Sequence, residues 1–228
     1  MSGPVVQLFR FFMGQTSIYQ VIISFFSILV ILFVCFPIHE CAHAFVARLL
    51  GDDTAERQGR LTLNPFAHID LMGAIAMCIC CIGWAKPTPV DLRKCKKTSM
   101  RTANVLVSLA GPVSNILMSL LLMIIYKLIL VNAPASEVSG YVCLAIFYAA
   151  DINVFLAVFN LLPIPPFDGY HILASVLPAK AVVFFERYAQ IINFVMLLLL
   201  ISGILSVPLN ILSNGAMTLL DMATKFIC

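Results

Sequence analysis

The sequence predicts an all-α membrane protein, a polytopic helical bundle of about four to six transmembrane helices. Apolar residues make up 61% of the 228 residues and charged residues only 11%, against roughly 25% charged residues in typical soluble proteins. A soluble domain of this size cannot hide so much apolar surface, because its outside must be wetted by polar groups. The composition therefore argues against a disordered chain, a nucleic-acid-binding protein and an ordinary cytosolic enzyme.

Long stretches without charge place the predicted helices. Residues 11–38, 102–126 and 188–220 contain no Asp, Glu, Lys or Arg, and residues 138–167 contain only Asp151. A helix needs about 20 mostly apolar residues to cross the hydrocarbon core. We therefore predict a single intramembrane domain over residues 1–228, with these parts: core helices at about 17–50, 102–130 and 141–162, a loop region at 52–101, and accessory helices within 170–228.

The segment 71–85 is also free of charge, but its fifteen residues are too few for a full crossing. A shorter apolar segment of this kind favours a re-entrant or interfacial position. Around it, residues 59–90 interleave β-branched residues with Gly and Pro, a pattern that favours extended backbone. We predict that a re-entrant, partly β-like segment follows the first long helix.

Basic residues orient the chain. Six of the 14 Lys and Arg residues lie within residues 86–101, where Asp91 is the only acid. The positive-inside rule places this loop in the cytoplasm, and the order of the helices then places the N-terminus outside the cell. The chain is expected to be a multi-pass protein of the cell membrane. Topology and contact with the anionic lipid of the bilayer account for the basic loop without any nucleic acid.

A candidate metal site lies at the end of the first apolar run, in the sequence HECAH at 39–43. His39 and His43 are four residues apart, so on a helix both imidazoles point to the same side. This spacing suits two ligands of a tetrahedral zinc, and Glu40 between them can act as a general base toward an attacking water. His39 lies about 33 Å along a helix that starts near Ser17, which places the active site towards the cytoplasmic side.

A zinc hydrolase usually needs a third protein ligand, and five residues elsewhere in the chain are candidates: Asp168, His171, His68, Asp151 and Asp70. We favour Asp168, because it lies just after a helix that returns to the cytoplasmic side. Prolines occupy three of the four positions 163–166, so the helix cannot continue there, and Gly169 allows an unusual backbone conformation. The prediction is an unwound loop that places one carboxylate beside the two histidines.

Five ordered blocks of sequence resemble the site-2 proteases, a family of intramembrane zinc metalloproteases: HECAH at 39–43, GRLTLNPFAHIDLMG at 59–73, GWAKPTPV at 83–90, AGPVSN at 110–115 and NLLPIPPFDG at 160–169. The resemblance is to the compact bacterial-type subgroup without a PDZ or CBS domain. It implies one Zn2+ per chain, held by His39, His43 and Asp168, with Glu40 as the catalytic base.

Four further residues are expected near the active site. Asn160 and Asn115 are candidates to donate a hydrogen bond to the oxyanion of the reaction. His68 is interpreted as a structural or supporting histidine, since three ligands are already assigned. His171 is expected beside the site, and it stands where many family members carry Arg. Phe167 replaces the Leu that is common before the metal-binding Asp.

Other polar or unusual residues receive structural interpretations. Asp70 is expected to cap the start of the 71–85 segment. Gly111 and Pro112 are expected to give close packing and a kink, with Asn115 on the same face against the helix of the HECAH sequence. Asp151 is interpreted as an interhelical polar contact.

The resemblance implies an intramembrane endopeptidase that hydrolyses peptide bonds within or near transmembrane segments of other membrane proteins, as in regulated intramembrane proteolysis. Unwound substrate segments are favoured because a helical carbonyl is already hydrogen-bonded, and residues 59–90 are expected to offer an edge strand to such a segment. Two alternatives are a membrane metal-binding or transport protein, and a catalytically inactive family member that acts as a binding partner. A purely structural interpretation of HECAH is a pair of interfacial histidines with a snorkelling glutamate near a helix end.

Overall fold

Helices form the main elements of this computed structural model, which describes residues 4–80, 83–134 and 136–227. In chain order these are α1 (Pro4–Phe12), α2 (Ile18–Leu50), α3 (Leu71–Cys80), α4 (Met100–Asn132), α5 (Glu137–Asn160), α6 (Asp168–Val176), α7 (Ala179–Arg187), α8 (Ala189–Ile201) and α9 (Ser206–Ala223). Among the described residues, three helices (α2, α4 and α5) are long and apolar enough to cross a membrane, and α7 with α8 adds a fourth span if that pair, bent by 66°, forms one broken crossing.

Helix α2 begins and ends close to its predicted bounds. The Ser17 hydroxyl accepts a hydrogen bond from the backbone N–H of Gln20, and Gly51 ends the helix with a φ of 113°, a left-handed conformation that favours glycine. One turn, Ile31–Cys35, is π-helical and ends two residues before Pro37. Proline has no N–H, and its ring clashes with the carbonyl four residues earlier. The wider π turn therefore accommodates Pro37 without ending the helix.

Helix α3 lies against the first span. The Asp70 carboxylate accepts a hydrogen bond from the backbone N–H of Gly73 at 2.8 Å, which confirms the predicted cap. Met77 of α3 is buried in a cluster with Ile28 and Leu32 of α2, so the apolar segment is anchored along the side of that helix. Residues 81 and 82 of the predicted 71–85 segment lie outside the described residues.

Of the β-like structure expected in residues 59–90, the structure shows one β-bridge. Across the part of the chain that the structure describes there is no named strand, and one isolated antiparallel bridge joins Ile69 to Ala85. Prolines at 87 and 89 cannot donate to a β-ladder, so pairing does not continue past the bridge. Residues 83–91 instead form a loop without regular structure, apart from the bridge at Ala85, and this loop reaches the first span.

Helices α4 and α5 are joined by a four-residue connection, which makes them antiparallel neighbours. Helix α9 covers this pair, and the three helices share a buried cluster of Met123, Ala150, Val154 and Leu220. Lys127 of α4 is only 4% exposed, and its Nζ lies 2.8 Å from Oδ1 of Asp221. The Asp221 carboxylate therefore pairs with a buried cation and fastens the C-terminal helix to the bundle.

Candidate active site

The two histidines of HECAH lie one turn apart on α2 and face helix α4. Both are buried, with 7% and 8% of their surface exposed, and their Nε2 atoms are 3.1 Å apart. Nδ1 of His43 donates a hydrogen bond to the backbone carbonyl oxygen of Val107 at 2.7 Å. This bond places the ring proton on Nδ1 and leaves Nε2 of His43 available to bind a metal ion.

Asp168 reaches the same point from the start of α6. Its Oδ2 lies 3.1 Å from Nε2 of His39 and 3.4 Å from Nε2 of His43. Burial opposes ionisation of this carboxyl group, but the two imidazoles beside it outweigh that effect and hold the pKa of Asp168 below its usual value. Within the described residues, these three side chains form the one group of His, Cys, Asp or Glu close enough to share a metal ion.

A proline-rich loop delivers Asp168 to this position. Helix α5 ends at Asn160 and α6 begins at Asp168, and the bond between Pro165 and Pro166 is cis. The prediction of an unusual backbone conformation at Gly169 is wrong, because this residue lies inside α6 and does not have a positive φ. Space explains the glycine instead, since a Cβ at Gly169 would lie 2.2 Å from the carbonyl oxygen of Leu161.

Gly111 of α4 forms the wall behind the two imidazoles. A Cβ at this position would lie 2.4 Å from Cε1 of His39 and 2.5 Å from Nε2 of His43, distances that real Cβ atoms essentially never show. The absence of a side chain therefore lets both rings lie directly against the backbone of α4. This finding confirms the close packing expected at Gly111 against the helix of the HECAH sequence.

The Glu40 carboxylate faces the loop that follows α3. Its Oε2 accepts a hydrogen bond from the backbone N–H of Thr88 at 2.8 Å. The Thr88 hydroxyl donates in turn to the backbone carbonyl of Glu40 at 3.0 Å. Two hydrogen bonds thus join the loop to the turn of α2 that carries both histidines.

The two asparagines expected near the site differ in their hydrogen bonding. Asn115 is 1% exposed and lies one turn beyond Gly111 on α4, and neither atom of its amide has a hydrogen-bond partner among the described residues. Asn160 donates from Nδ2 to the backbone carbonyl of Leu156 at 2.9 Å. Asn115 therefore has free hydrogen-bonding capacity in a buried place, whereas the amide N–H of Asn160 is engaged within its own helix.

His68, His171 and Asp151 are not part of the three-residue group. His68 is fully buried, and its Nε2 donates to the backbone carbonyl of Thr62 at 2.8 Å, which fits a structural histidine. His171 is exposed on α6. The Asp151 side chain makes no hydrogen bond or ion pair within the described part of the chain, so the interhelical contact expected of it is not found.

Two backbone groups that hold residues of the site could not be predicted from the sequence. Val107 holds His43 through its carbonyl oxygen, and Thr88 holds Glu40 through its N–H. Neither contact depends on the type of side chain, so no residue pattern marks it. The one available signal was the glycine–proline pair at 111–112, which indicated close helix packing in the right place.

The donor set fits zinc. Two imidazole nitrogens and one carboxylate oxygen are a common protein ligand set of catalytic zinc, which leaves a fourth position for water or substrate. The three donor atoms lie within 4.8 Å of one another, and Oδ2 of Asp168 is a buried oxygen without a conventional hydrogen bond. A shared cation would satisfy all three atoms at once.

The site lies close to one end of the helices that build it. His39 and His43 are 11 and 7 residues before the end of α2, and Gly111 is 11 residues after the start of α4. At 1.5 Å per residue these separations correspond to about 10 to 17 Å. The metal group is therefore inside the helical bundle but nearer to the end that carries the loop before α4.

Comparisons with known proteins identify a family and several relatives of this chain. The model of a family described as "Peptidase family M50" matches residues 127–203, a range that includes Asp168. "Putative zinc metalloprotease YwhC" of Bacillus subtilis is 43% identical over 157 residues, which cover 66% of this chain and 69% of that protein. No solved structure matches the chain.

More distant relatives bear the same kind of name. "Putative zinc metalloprotease Rip2" of Mycolicibacterium smegmatis is 33% identical over 136 residues, and that of Mycobacterium tuberculosis is 32% identical over 137 residues. Each match covers 58% of this chain and 50% of the relative, so the aligned part spans about half the length of these mycobacterial proteins.

Proposed function

The chain belongs to peptidase family M50 and is a zinc metalloprotease, and we propose that it is an intramembrane endopeptidase. Its substrates would be other membrane proteins, cut within or near a transmembrane segment. The observation that carries this proposal is the convergence of His39, His43 and Asp168 against Gly111, because the histidines and the glycine belong to helices able to cross a membrane.

Each residue of the group receives a role under this proposal. His39, His43 and Asp168 hold the zinc ion. Zinc, when bound, supplies a Lewis acid that activates water and polarises a carbonyl. Glu40 is the general base that takes the proton from the attacking water and passes it to the leaving amine. Its position between the two ligands, on the same turn of α2, supports this role.

Hydrogen-bond donors near the zinc group would stabilise the negative charge that develops on the substrate carbonyl. Asn115 and Asn160 are the candidates. The buried, unpartnered amide of Asn115 can donate without breaking an existing bond. The amide of Asn160 would first leave the carbonyl of Leu156. An unwound substrate segment is required in either case, because a helical carbonyl already accepts a hydrogen bond.

The proposed orientation places the active site towards the cytoplasm of the cell. The six Lys and Arg residues within 86–101 precede or begin α4, at the end of the bundle nearest the metal group. The positive-inside rule puts such a loop on the cytoplasmic side. The first span then starts outside the cell, and the protease lies in the cell membrane.

Glu40→Gln tests the proposed activity. The purified protein in liposomes, mixed with a single-span substrate whose segment contains helix-breaking residues, is expected to yield two fragments whose masses locate the cut within or beside the segment. Glutamine keeps the shape of the side chain but cannot take a proton, so cleavage should fall by about 10²- to 10⁴-fold. Zinc content should stay at the wild-type level.

Glu137→Gln provides a matched control, because this exposed glutamate lies in the first turn of α5 at the other end of the bundle. It should cleave like the wild type. Full activity of Glu40→Gln contradicts the assignment of the base. A wild-type protein that binds zinc but cuts no membrane substrate contradicts the proposed activity and favours metal transport or a binding role.

A further inference from the structure

Arg60 is a buried cation without an acidic partner among the described residues. It is 6% exposed, and no described Asp or Glu forms an ion pair with it. A buried charge is costly unless hydrogen bonds satisfy it. The guanidinium group instead donates from Nη2 to the backbone carbonyl oxygens of Lys86 and, at 3.2 Å, Pro87.

The second of these carbonyls belongs to the peptide group that holds Glu40. The peptide bond between Pro87 and Thr88 carries the Pro87 carbonyl on one side and the Thr88 N–H on the other. Arg60 binds the carbonyl, and the N–H donates to Oε2 of Glu40 at 2.8 Å. One planar peptide group therefore connects the buried cation to the carboxylate of the general base.

Such a connection has both a geometric and an electrostatic effect. Because the peptide group is planar, fixing its carbonyl also fixes the direction of its N–H. A cation on the carbonyl polarises the group, and hydrogen bonds in a chain strengthen one another in a low-dielectric interior. The Thr88 N–H is therefore better aligned with the Glu40 carboxylate, and is a stronger donor, than it would be in a loop that Arg60 does not hold.

We propose that Arg60 is a positioning residue for Glu40, which it orients through the Pro87–Thr88 peptide group. This inference rests on the proposed function, in which Glu40 is the general base. The base must face the attacking water with one carboxylate oxygen, and the hydrogen bond from Thr88 to the other oxygen restricts its rotation. Arg60 makes that hydrogen bond rigid.

Other contacts fasten the loop independently of Arg60. The backbone N–H of Lys86 donates to the carbonyl of His68 at 2.7 Å, and the N–H of Asp91 donates to Oδ2 of the buried Asp52 at 2.7 Å. The Thr88 hydroxyl also remains on the backbone of Glu40. Loss of the guanidinium should therefore loosen the two peptide groups that Arg60 binds, including the one that donates to Glu40, while the loop stays docked.

The test compares Arg60→Met with Arg60→Lys in the full-length protein. Methionine keeps much of the length of the side chain without the donors, so kcat for the single-span substrate should fall about 10- to 100-fold, as expected for loss of a charge-assisted hydrogen bond. The KM and the zinc content should stay within about twofold of the wild type, because the ligands are untouched. Lysine can reach one carbonyl as a point charge and should restore part of kcat.

Arg57→Met is the matched control, because the Arg57 side chain is 74% exposed and pairs with Asp53 on the surface. It should behave like the wild type. A wild-type kcat in Arg60→Met, or a loss of zinc that parallels the loss of kcat, overturns the positioning role. So does an Arg60→Lys variant as slow as Arg60→Met. Glu40→Gln is measured in the same assay. If Glu40→Gln is inactive while Arg60→Met is fully active, the positioning role of Arg60 is wrong and the assignment of Glu40 as the base stands. If Glu40→Gln is active, the assignment of Glu40 as the base is itself wrong.

Discussion

Gly111→Ala is expected to weaken zinc binding strongly and to reduce proteolysis with it. The added Cβ would lie 2.4 to 2.6 Å from ring atoms of His39 and His43, so that one or both rings would have to shift. The two imidazole rings cannot easily move away from α4, because both belong to one continuous helix. The ring of His43 is also hydrogen-bonded to the Val107 carbonyl. A metal site tolerates displacements of only about 0.2 Å. The zinc affinity should fall by at least about 10- to 100-fold.

A chelator competition titration measures this loss directly. Gly215→Ala is the control, because this exposed glycine lies within α9 and a Cβ there would meet nothing within 4 Å. It should keep the zinc affinity of the wild type. Wild-type affinity in Gly111→Ala would mean that the imidazoles do not lie against α4, and the site as described would be wrong.

Asp168→Ala is expected to lose zinc for a different reason. The substitution removes one of three donors and leaves two imidazoles, whose Nε2 atoms are 3.1 Å apart, to hold the ion alone. Binding should weaken by about 100-fold or more, and cleavage should disappear with it. Zinc content after gel filtration, expressed per chain, separates this variant from the wild type.

Two substitutions control for this result. Asp151→Ala removes another carboxylate from a membrane-spanning helix, and His171→Ala removes the histidine nearest in sequence to Asp168. Neither side chain belongs to the metal group, so both variants should retain zinc. Retention of zinc by Asp168→Ala would instead move the third ligand to a residue such as His171 or His68.

The proximity of His39, His43 and Asp168 could be predicted from the sequence because its signals are local. The spacing of His39 and His43 directly specifies one face of a helix. Prolines after α5 break the helix, and the structure places the next carboxylate, that of Asp168, beside both histidines. The glycine at 111 indicates a close approach of two helices, and it lies against the histidines.

Contacts between distant segments could not be predicted in the same way. The bond from Thr88 to Glu40 joins residues 48 apart, and Arg60 reaches the loop 26 and 27 residues later. These contacts use backbone atoms of a loop without regular structure, so neither periodicity nor residue type indicates them. The β-like structure predicted for residues 59–90 was not confirmed beyond one bridge. The composition favoured extended backbone, but the prolines at 87 and 89 lack the N–H donors that a strand needs.

Under the proposed function, hydrolysis takes place at a polar site that lies among apolar helices. A bound zinc ion would satisfy the buried donor atoms of His39, His43 and Asp168, and many large apolar side chains of the surrounding helices are exposed on the outside. Intramembrane polar residues are costly unless they are paired or functional. His39, Glu40 and His43 meet that condition only as a group, which is why their separate substitution should be so damaging.

X-ray absorption spectroscopy of the zinc-loaded wild-type protein identifies the atoms that bind the metal ion. We expect about one zinc per chain with only nitrogen and oxygen neighbours at about 2.0–2.2 Å, as two histidines, one aspartate and one exchangeable ligand require. The chain contains 8 cysteines, so an alternative site would be visible as sulfur neighbours near about 2.3 Å. A sulfur shell, or a folded protein that binds no zinc, would contradict the assignment of His39, His43 and Asp168.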